Sequence, residues 1–324
     1  MRTRVIVLIA ILVSIAGAAG WVGWLVRYRP LTVFGWQTRA ALRTAGLRKV
    51  RVAAPAGEQT VFVGGHGTVV VLLHGAGDSA GTWFKVVPGL VRSHRLVVPD
   101  LAGHGESAPR TGSIDVKDVL EGVEAVLDST APHEKVVLVG NSLGAWVAML
   151  VAHRHPERVA RAVCVDGGAM RGSNLHARVL PRDRHEARES VGQTRDPGSA
   201  PVPDFVLDDI VRQAREGSLA RFAATAATMD RYVLDDAQLR EIAVPVTLIW
   251  GRSDRLVPLD YAARMRSALS TADLVILERC GHVPQLECPD ALLAALQLAV
   301  GEPPGSVEGQ RSKVEGSTPP PRSP

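Results

Sequence analysis

The 324-residue chain has little of what several functional classes require. It holds three cysteines, Cys164, Cys280 and Cys288, too few and too unevenly spaced for a disulfide framework or a zinc site. All three read as free thiols, with a Cys280–Cys288 bridge as the alternative outside the cytoplasm. Aromatic residues make up only 4% of the chain, and no basic block is interleaved with them. The net charge of +4 and the pI near 9.2 therefore come from scattered arginine, and nucleic-acid binding is not expected. No internal repeat is visible, and no cofactor or metal is expected.

What is present is an apolar N-terminus followed by enough chain for one large domain. Val5 to Val26 carries no charge, and its 22 residues would span about 33 Å as a helix, enough for a bilayer core. Arg2 and Arg4 precede the run, Arg27 and Arg29 follow it, and Trp21 and Trp24 suit a membrane interface. Residues 1–30 read as an uncleaved single-pass anchor, with the remainder of the chain extracytoplasmic. The alternative is a secretory signal, apolar over Val5 to Ile15 and cleaved at Ala16-Gly17-Ala18. At the other end, the Pro-, Ser- and Gly-rich stretch Glu302 to Pro324 is expected to be disordered.

Between these ends, apolar runs alternate with helical patterns. Leu47–Ala54 and Glu58–Gly64 read as a hairpin around Ala54-Pro55-Ala56-Gly57. Val69–Leu73, His94–Pro99 and Val136–Val139 read as strands buried on both faces, and Arg161–Val165, Val244–Trp250 and Asp273–Leu277 as further strands. A 3.6-residue period predicts helices over Asp115–Ser129, Ala145–Val151, Tyr261–Leu269 and Asp290–Val300. The pattern argues for a mainly parallel, doubly wound α/β sheet. Residues 170–241 break it. They are rich in Arg, Asp and Pro, lack a buried-strand run, and read as a helical cap inserted in the sheet, with helices near Phe205–Gln213 and Leu219–Tyr232.

The most informative stretch is Val136-Val137-Leu138-Val139-Gly140-Asn141-Ser142-Leu143-Gly144, an apolar strand running into Gly-x-Ser-x-Gly and then into a helix. Glycines on both sides leave room for close backbone packing and force Ser142 into a strained, exposed position. This turn resembles the nucleophile turn of the α/β-hydrolase family. The resemblance covers roughly Gly46 to Val300 and implies the order Ser, acid, His along the chain. Trp250-Gly251-Arg252-Ser253-Asp254 and Gly281-His282 match it, each on a loop after a strand. It thus implies Ser142 as nucleophile, His282 as general base and then acid, and Asp254 as orienter of the imidazole. Asp166, at the end of an earlier strand, is the alternative acid. Leu143 N–H is one expected oxyanion donor. His74-Gly75-Ala76-Gly77 resembles the family's His-Gly-x loop and points to Ala76 N–H as the second. His104 falls in Asp100-x-x-Gly-x-Gly-x-Ser, which resembles a structural turn of the family, and His153 and His155 end the helix after Ser142.

The resemblance implies a serine hydrolase that cleaves small-molecule carboxylic esters, lipid-like or otherwise apolar, through an acyl-enzyme. A rival is a carbon–carbon bond hydrolase of the meta-cleavage type, whose Gly-Asn-Ser-x-Gly-Gly the segment 140–144 resembles. Ala145 replaces its last glycine, and Val283 stands where Trp is typical. A second rival is a non-catalytic binding module on the same scaffold. Dehalogenases and epoxide hydrolases of this fold use an Asp nucleophile, and Ser142 argues against both.

Overall fold

In a computed structural model, which describes residues 2–301 apart from 169 and 171–178 and side chains from residue 14 onward, the apolar runs pair into one eight-stranded sheet. Its strands are β1 (Arg48–Val52), β2 (Gln59–Gly64), β3 (Val69–Leu73), β4 (Arg95–Pro99), β5 (Val136–Asn141), β6 (Val159–Val165), β7 (Val246–Gly251) and β8 (Ala272–Leu277). They lie in the order β1-β2-β4-β3-β5-β6-β7-β8, with β1 and β2 antiparallel at one edge and the rest parallel. The chain passes from β3 to β4 on one side and then returns to place β5 on the other. The crevice between the carboxyl ends of β3 and β5 is thus the switch point, where doubly wound sheets gather reactive groups.

Every residue of β3 and β5 is buried, so neither strand alternates. Val71 and Leu73 face one core layer and Val70 and Leu72 the other. The first layer is closed by α3 (Val116–Thr130), α4 (Leu143–Arg154) and α7 (Leu259–Ala268), numbering the longer helices in chain order from α1 (Arg2–Tyr28) and α2 (Pro30–Thr44). The second is closed by α2, the 3-10 turn Ala80–Lys85 and α8 (Pro289–Gly301). Asp115 starts α3 with a capping box: it accepts from Lys117 N–H at 2.9 Å while Asp118 accepts from Asp115 N–H at 2.9 Å.

Between β6 and β7 the described residues include α5 (Arg184–Thr194) and α6 (Asp204–Glu216). The single helix expected over Leu219–Tyr232 is instead three pieces, Ser218–Ala223, Ala226–Met229 and the 3-10 turn Asp230–Tyr232. Two threonine hydroxyls bond across the breaks. Thr225 donates to Phe222 O at 2.7 Å and Ile114 O at 2.9 Å, and Thr228 to Asp115 Oδ2 at 2.9 Å. Such local bonds compete with a continuous helix. Arg221 holds this insertion to the sheet by donating to the carbonyls of Gly103, Pro109, Thr111 and Gly112.

Helix α2 has no counterpart in the sequence reading. Pro30 opens it, Leu42 is fully buried beneath it, and Phe34 meets Phe84 edge-on with ring centroids 6.0 Å apart. Buried Asp209 of α6 accepts from Leu31 N–H at 3.0 Å and from Arg212 Nε at 2.7 Å, so the insertion and the N-terminal helices are joined.

Two expectations need correction. Helix α1 is continuous over Arg2–Tyr28, yet among the described residues no helix is long and apolar enough to cross a membrane. Residues 5–13 of the expected anchor are outside those whose side chains are described, and the expected disordered tail at 302–324 is outside the described residues altogether. The second correction concerns the thiols. Cys280 and Cys288 form a disulfide with their Cα atoms 5.9 Å apart, and only Cys164 is free. The short helix Pro284–Glu287 folds the intervening chain back on itself, and this closure is not visible in the spacing alone.

Non-reducing peptide mapping should recover Cys280 and Cys288 in linked peptides, with Cys164 alkylated only after unfolding. From loop-closure entropy, a Cys280→Ser/Cys288→Ser variant should lose about 2–3 kcal/mol in a denaturant titration.

Candidate active site

The turn after β5 is held by atoms too close to admit side chains. A Cβ on Gly140 would lie 2.2 Å from Gly144 C, and one on Gly144 would lie 2.3 Å from Leu73 O. Strand β5, helix α4 and the end of β3 therefore meet backbone to backbone. Ser142 sits between them at φ 53° and ψ −113°, half-buried, with its N–H donating to Val165 O at 3.0 Å. A non-glycine residue at positive φ is strained, and the surrounding contacts must hold it there.

The loop after β3 lies against this turn. A Cβ on Gly75 would fall 3.2 Å from Asn141 Oδ1 and 3.3 Å from Ser142 Cβ. His74 fixes the loop from beneath: its Nε2 accepts from Leu101 N–H at 3.0 Å and its Nδ1 donates to Gly75 O at 2.8 Å. Burial, with a smaller contribution from the Arg39 charge, lowers the His74 pKa to about 4, so the ring is neutral near pH 7. Among the described residues, neither Ala76 N–H nor Leu143 N–H donates to a protein acceptor. Both expected oxyanion donors are thus free, on loops that touch.

Asp254 and His282 are brought together. His282 Nδ1 lies 2.7 Å from Asp254 Oδ2, with the two residues 4% and 3% exposed. The other carboxylate oxygen of Asp254 accepts from Leu256 N–H at 2.8 Å and Val257 N–H at 2.9 Å. With Nδ1 donating to Asp254, Nε2 is left as the acceptor of the ring. Among the described residues the Ser142 hydroxyl makes no hydrogen bond; the link to His282 runs through the neighbouring side chain. Asn141 Nδ2 donates to His282 O at 2.9 Å and to Val165 O at 3.2 Å. Apo sites often leave the nucleophile's own bond unmade.

Asp166, the alternative acid, does not hold the imidazole. It is fully buried at φ 47°, its Oδ1 accepts from Gly251 N–H at 2.7 Å, and its Oδ2 has no partner. His104 is structural, as expected: it donates from Nδ1 to Ala102 O at 2.9 Å and packs against the His74 ring. Asp100 closes that turn by accepting from Ala80 N–H at 2.8 Å and Glu106 N–H at 2.7 Å. His153 and His155, at the end of α4, stand 3.3 Å and 3.2 Å from Glu241 and Glu124.

Four residues that sequence reasoning missed complete the site. Gln285 Nε2 donates to Asn141 Oδ1 at 3.0 Å and reaches Thr82 Oγ1 at 3.4 Å. Glu287 accepts from Gly281 N–H at 2.6 Å and from Asp196 N–H at 3.0 Å, pinning the His282 loop to the insertion. Thr194 O accepts from His282 N–H at 2.8 Å, a second pin. Asp78, beside the loop after β3, is pushed up to about 6 by burial against the opposing bonds from Thr82 and Ser79 N–H. These four carry no local signal, whereas Asn141, also missed, could have been flagged as the variable position of Gly-x-Ser-x-Gly.

Among the described residues no group of His, Cys, Asp or Glu side chains is arranged to hold a metal ion. A cavity of about 180 Å³ opens behind α5, lined among others by Arg188, Arg195, Leu207 and Arg255, and none of Ser142, His282, Ala76 or Leu143 borders it.

Comparison with known proteins agrees with the fold. The profile of the alpha/beta hydrolase family matches residues 70–295. The chain is 31% identical over 243 residues to a 2-hydroxy-6-oxononadienedioate/2-hydroxy-6-oxononatrienedioate hydrolase of Cupriavidus pinatubonensis, covering 67% of this chain and 81% of that one. It is 30% identical over 276 residues to an uncharacterised protein of Mycobacterium tuberculosis, covering 75% and 80%. Among solved structures, one described as a membrane phospholipase A superposes with a TM-score of 0.71 at 26% identity, covering 90% of this chain and 96% of that one.

The buried histidines set a pH dependence. Burial, then the neighbouring His74, lowers the His104 pKa from 6.5 to about 3, with Asp100 and Arg221 also facing it. Below pH 6.5 the unfolded chain takes up this proton and the folded one does not, so stability falls as pH drops toward 3. A His104→Gln variant, which keeps a donor toward Ala102 O, should lose about 3 kcal/mol less than the parent between pH 6.5 and 4. Denaturant titrations of both proteins at the two pH values test this.

Proposed function

The chain belongs to the alpha/beta hydrolase family, and we propose that it is a serine hydrolase that cleaves carboxylic esters of small molecules through an acyl-enzyme. The observation that carries the reading is the Asp254–His282 hydrogen bond at 2.7 Å, tied through Asn141 to the turn that exposes Ser142. In the proposed cycle, Ser142 Oγ attacks the ester carbonyl as its proton passes to His282 Nε2. The imidazolium is stabilised by Asp254. The tetrahedral oxyanion lies against the N–H groups of Ala76 and Leu143, which no protein acceptor among the described residues competes for. Collapse expels the alcohol, which takes the proton from His282. Water then repeats the sequence on the acyl-enzyme and releases the acid.

Lipid-like or other apolar esters fit best. Support comes from the likeness to a structure described as a membrane phospholipase A, and from the apolar N-terminus. A place outside the cytoplasm belongs to the same proposal. The Cys280–Cys288 bridge suits an oxidising compartment.

A second reading, carbon–carbon bond hydrolysis, is favoured by the relative from Cupriavidus pinatubonensis and by Gly140-Asn141-Ser142. Against it stand Ala145 and Val283, as above.

A fluorophosphonate should label Ser142 in the folded protein; absence of label there would falsify the ester reading. Ser142→Ala should lower turnover of a p-nitrophenyl acyl ester by several orders of magnitude with folding intact, and Asp254→Asn by about 10³–10⁴-fold. Preferential turnover of a vinylogous 1,5-diketone over a chain-length series of acyl esters would select the second reading.

A further inference from the structure

Asp166 is a fully buried carboxyl beside the site that the proposed cycle leaves without work, and its surroundings are unlike those of a spare residue. It ends β6 at φ 47°, a backbone region that costs a non-glycine residue free energy and persists only where the surroundings impose it. Its Oδ1 accepts from Gly251 N–H at 2.7 Å, and Gly251 O accepts from Asp254 N–H at 3.1 Å, so Asp166 is wired into the loop that carries Asp254. Its Oδ2 is buried and has no donor among the described residues. Asp254, three residues beyond Gly251 on that loop, is the neighbouring carboxyl that acts on Asp166 both by its charge and as a hydrogen-bond partner.

Two carboxyls therefore face each other in a dry site, and among the described residues no cation forms an ion pair with Asp166. They cannot both be ionised at close range in low dielectric, so one proton must be held between them. The donors decide which residue keeps it. Asp254 accepts from Leu256 N–H, Val257 N–H and the His282 ring, three bonds that favour its anion. Asp166 accepts from Gly251 N–H alone.

We propose that Asp166 is a neutral carboxylic acid whose Oδ2–H donates to the Asp254 carboxylate, making it a positioning residue for the Asp254–His282 pair. The proposal rests on the triad reading above and deepens it. The bond gives the orphaned oxygen its partner and holds the Asp254 carboxylate against rotation. It also draws negative charge away from the oxygen that faces the imidazole, so His282 is left a weaker base than an undamped aspartate would make it. Consistent with this, burial first and the Asp254 charge second raise the Asp166 pKa well above the usual carboxylate range, with Glu287 adding to the same direction. The other titratable groups facing the pair are His282 and Glu287.

The test compares Asp166→Ala, which removes the donor, with Asp166→Asn, whose amide can both donate to Asp254 and accept from Gly251 N–H. In Asp166→Ala the acid limb of the kcat/KM–pH profile should move up by about one unit, tenfold in proton activity, and Asp166→Asn should bring it back to the parent position. Two readouts need no substrate, so they stand even if the ester reading fails. The NMR titration midpoint of the His282 ring should follow the same pattern. Infrared spectra of the parent at pH 7 should show the C=O stretch of a neutral carboxylic acid that Asp166→Asn removes. An unchanged acid limb and ring midpoint in Asp166→Ala, or no neutral-acid band in the parent, would overturn the proposal. So would Asp166→Asn abolishing turnover while Asp254→Asn leaves it intact, since Asp166 would then be the ionised acid.

Discussion

The structure depends on one close approach: strand β5, helix α4 and the end of β3 meet at Gly140 and Gly144 with no room for a side chain. Because the backbone cannot relax there, Ser142 is held at φ 53° and faces the crevice at the switch point of the sheet. Each strained residue in this region, Ser142 and Asp166 alike, ends a strand that is buried along its length or nearly so. The apolar contacts of those strands offset the local cost. Burial of the sheet and exposure of the serine are thus one arrangement.

Around that turn the polar groups are managed by burial and pairing. His74 and His104 are desolvated and kept neutral, so each can donate from one nitrogen and shape a turn without bringing charge beside the crevice. Gln285 donates to Asn141, and Asn141 donates to the main chain of His282, while Gln285 Oε1 is buried without a partner among the described residues. Such a network fixes where a loop lies more firmly than apolar packing does, because a misplaced polar group in a dry site loses its partner outright. The carboxyls of Asp166 and Asp254 extend the same logic to a shared proton.

The insertion and the N-terminal helices are built into this arrangement. Thr194 and the Asp196 main chain reach the His282 loop, directly and through Glu287, while the Cys280–Cys288 bridge closes that loop from its other side. Asp209 joins α6 to the start of α2, and α2 in turn covers the 3-10 turn behind the loop after β3. Substrate shape, on the proposed reading, is therefore set by elements that also hold the imidazole and an oxyanion donor in place.

Hydrophobic runs determined the parallel sheet, since a strand buried on both faces has to be apolar throughout. Gly-x-Ser-x-Gly after such a run determined the turn, because few other residues survive that packing. The order Ser142, Asp254, His282 could be read because each follows a strand, and strand ends converge in this architecture. Helix α2 and the disulfide could not be read: Pro30–Thr44 lacks a clean apolar stripe, and the approach of Cys280 to Cys288 depends on a helical turn between them. The Gly-x-x-Asp match already pointed to Asp254, with Asp166 as the alternative, but what each carboxyl touches could not be read: the fold aims the Nδ1 of His282 at Asp254 and leaves Asp166 with a buried oxygen and no donor among the described residues. Sequence carries which groups are available; the distances among residues more than a hundred positions apart decide which of them meet.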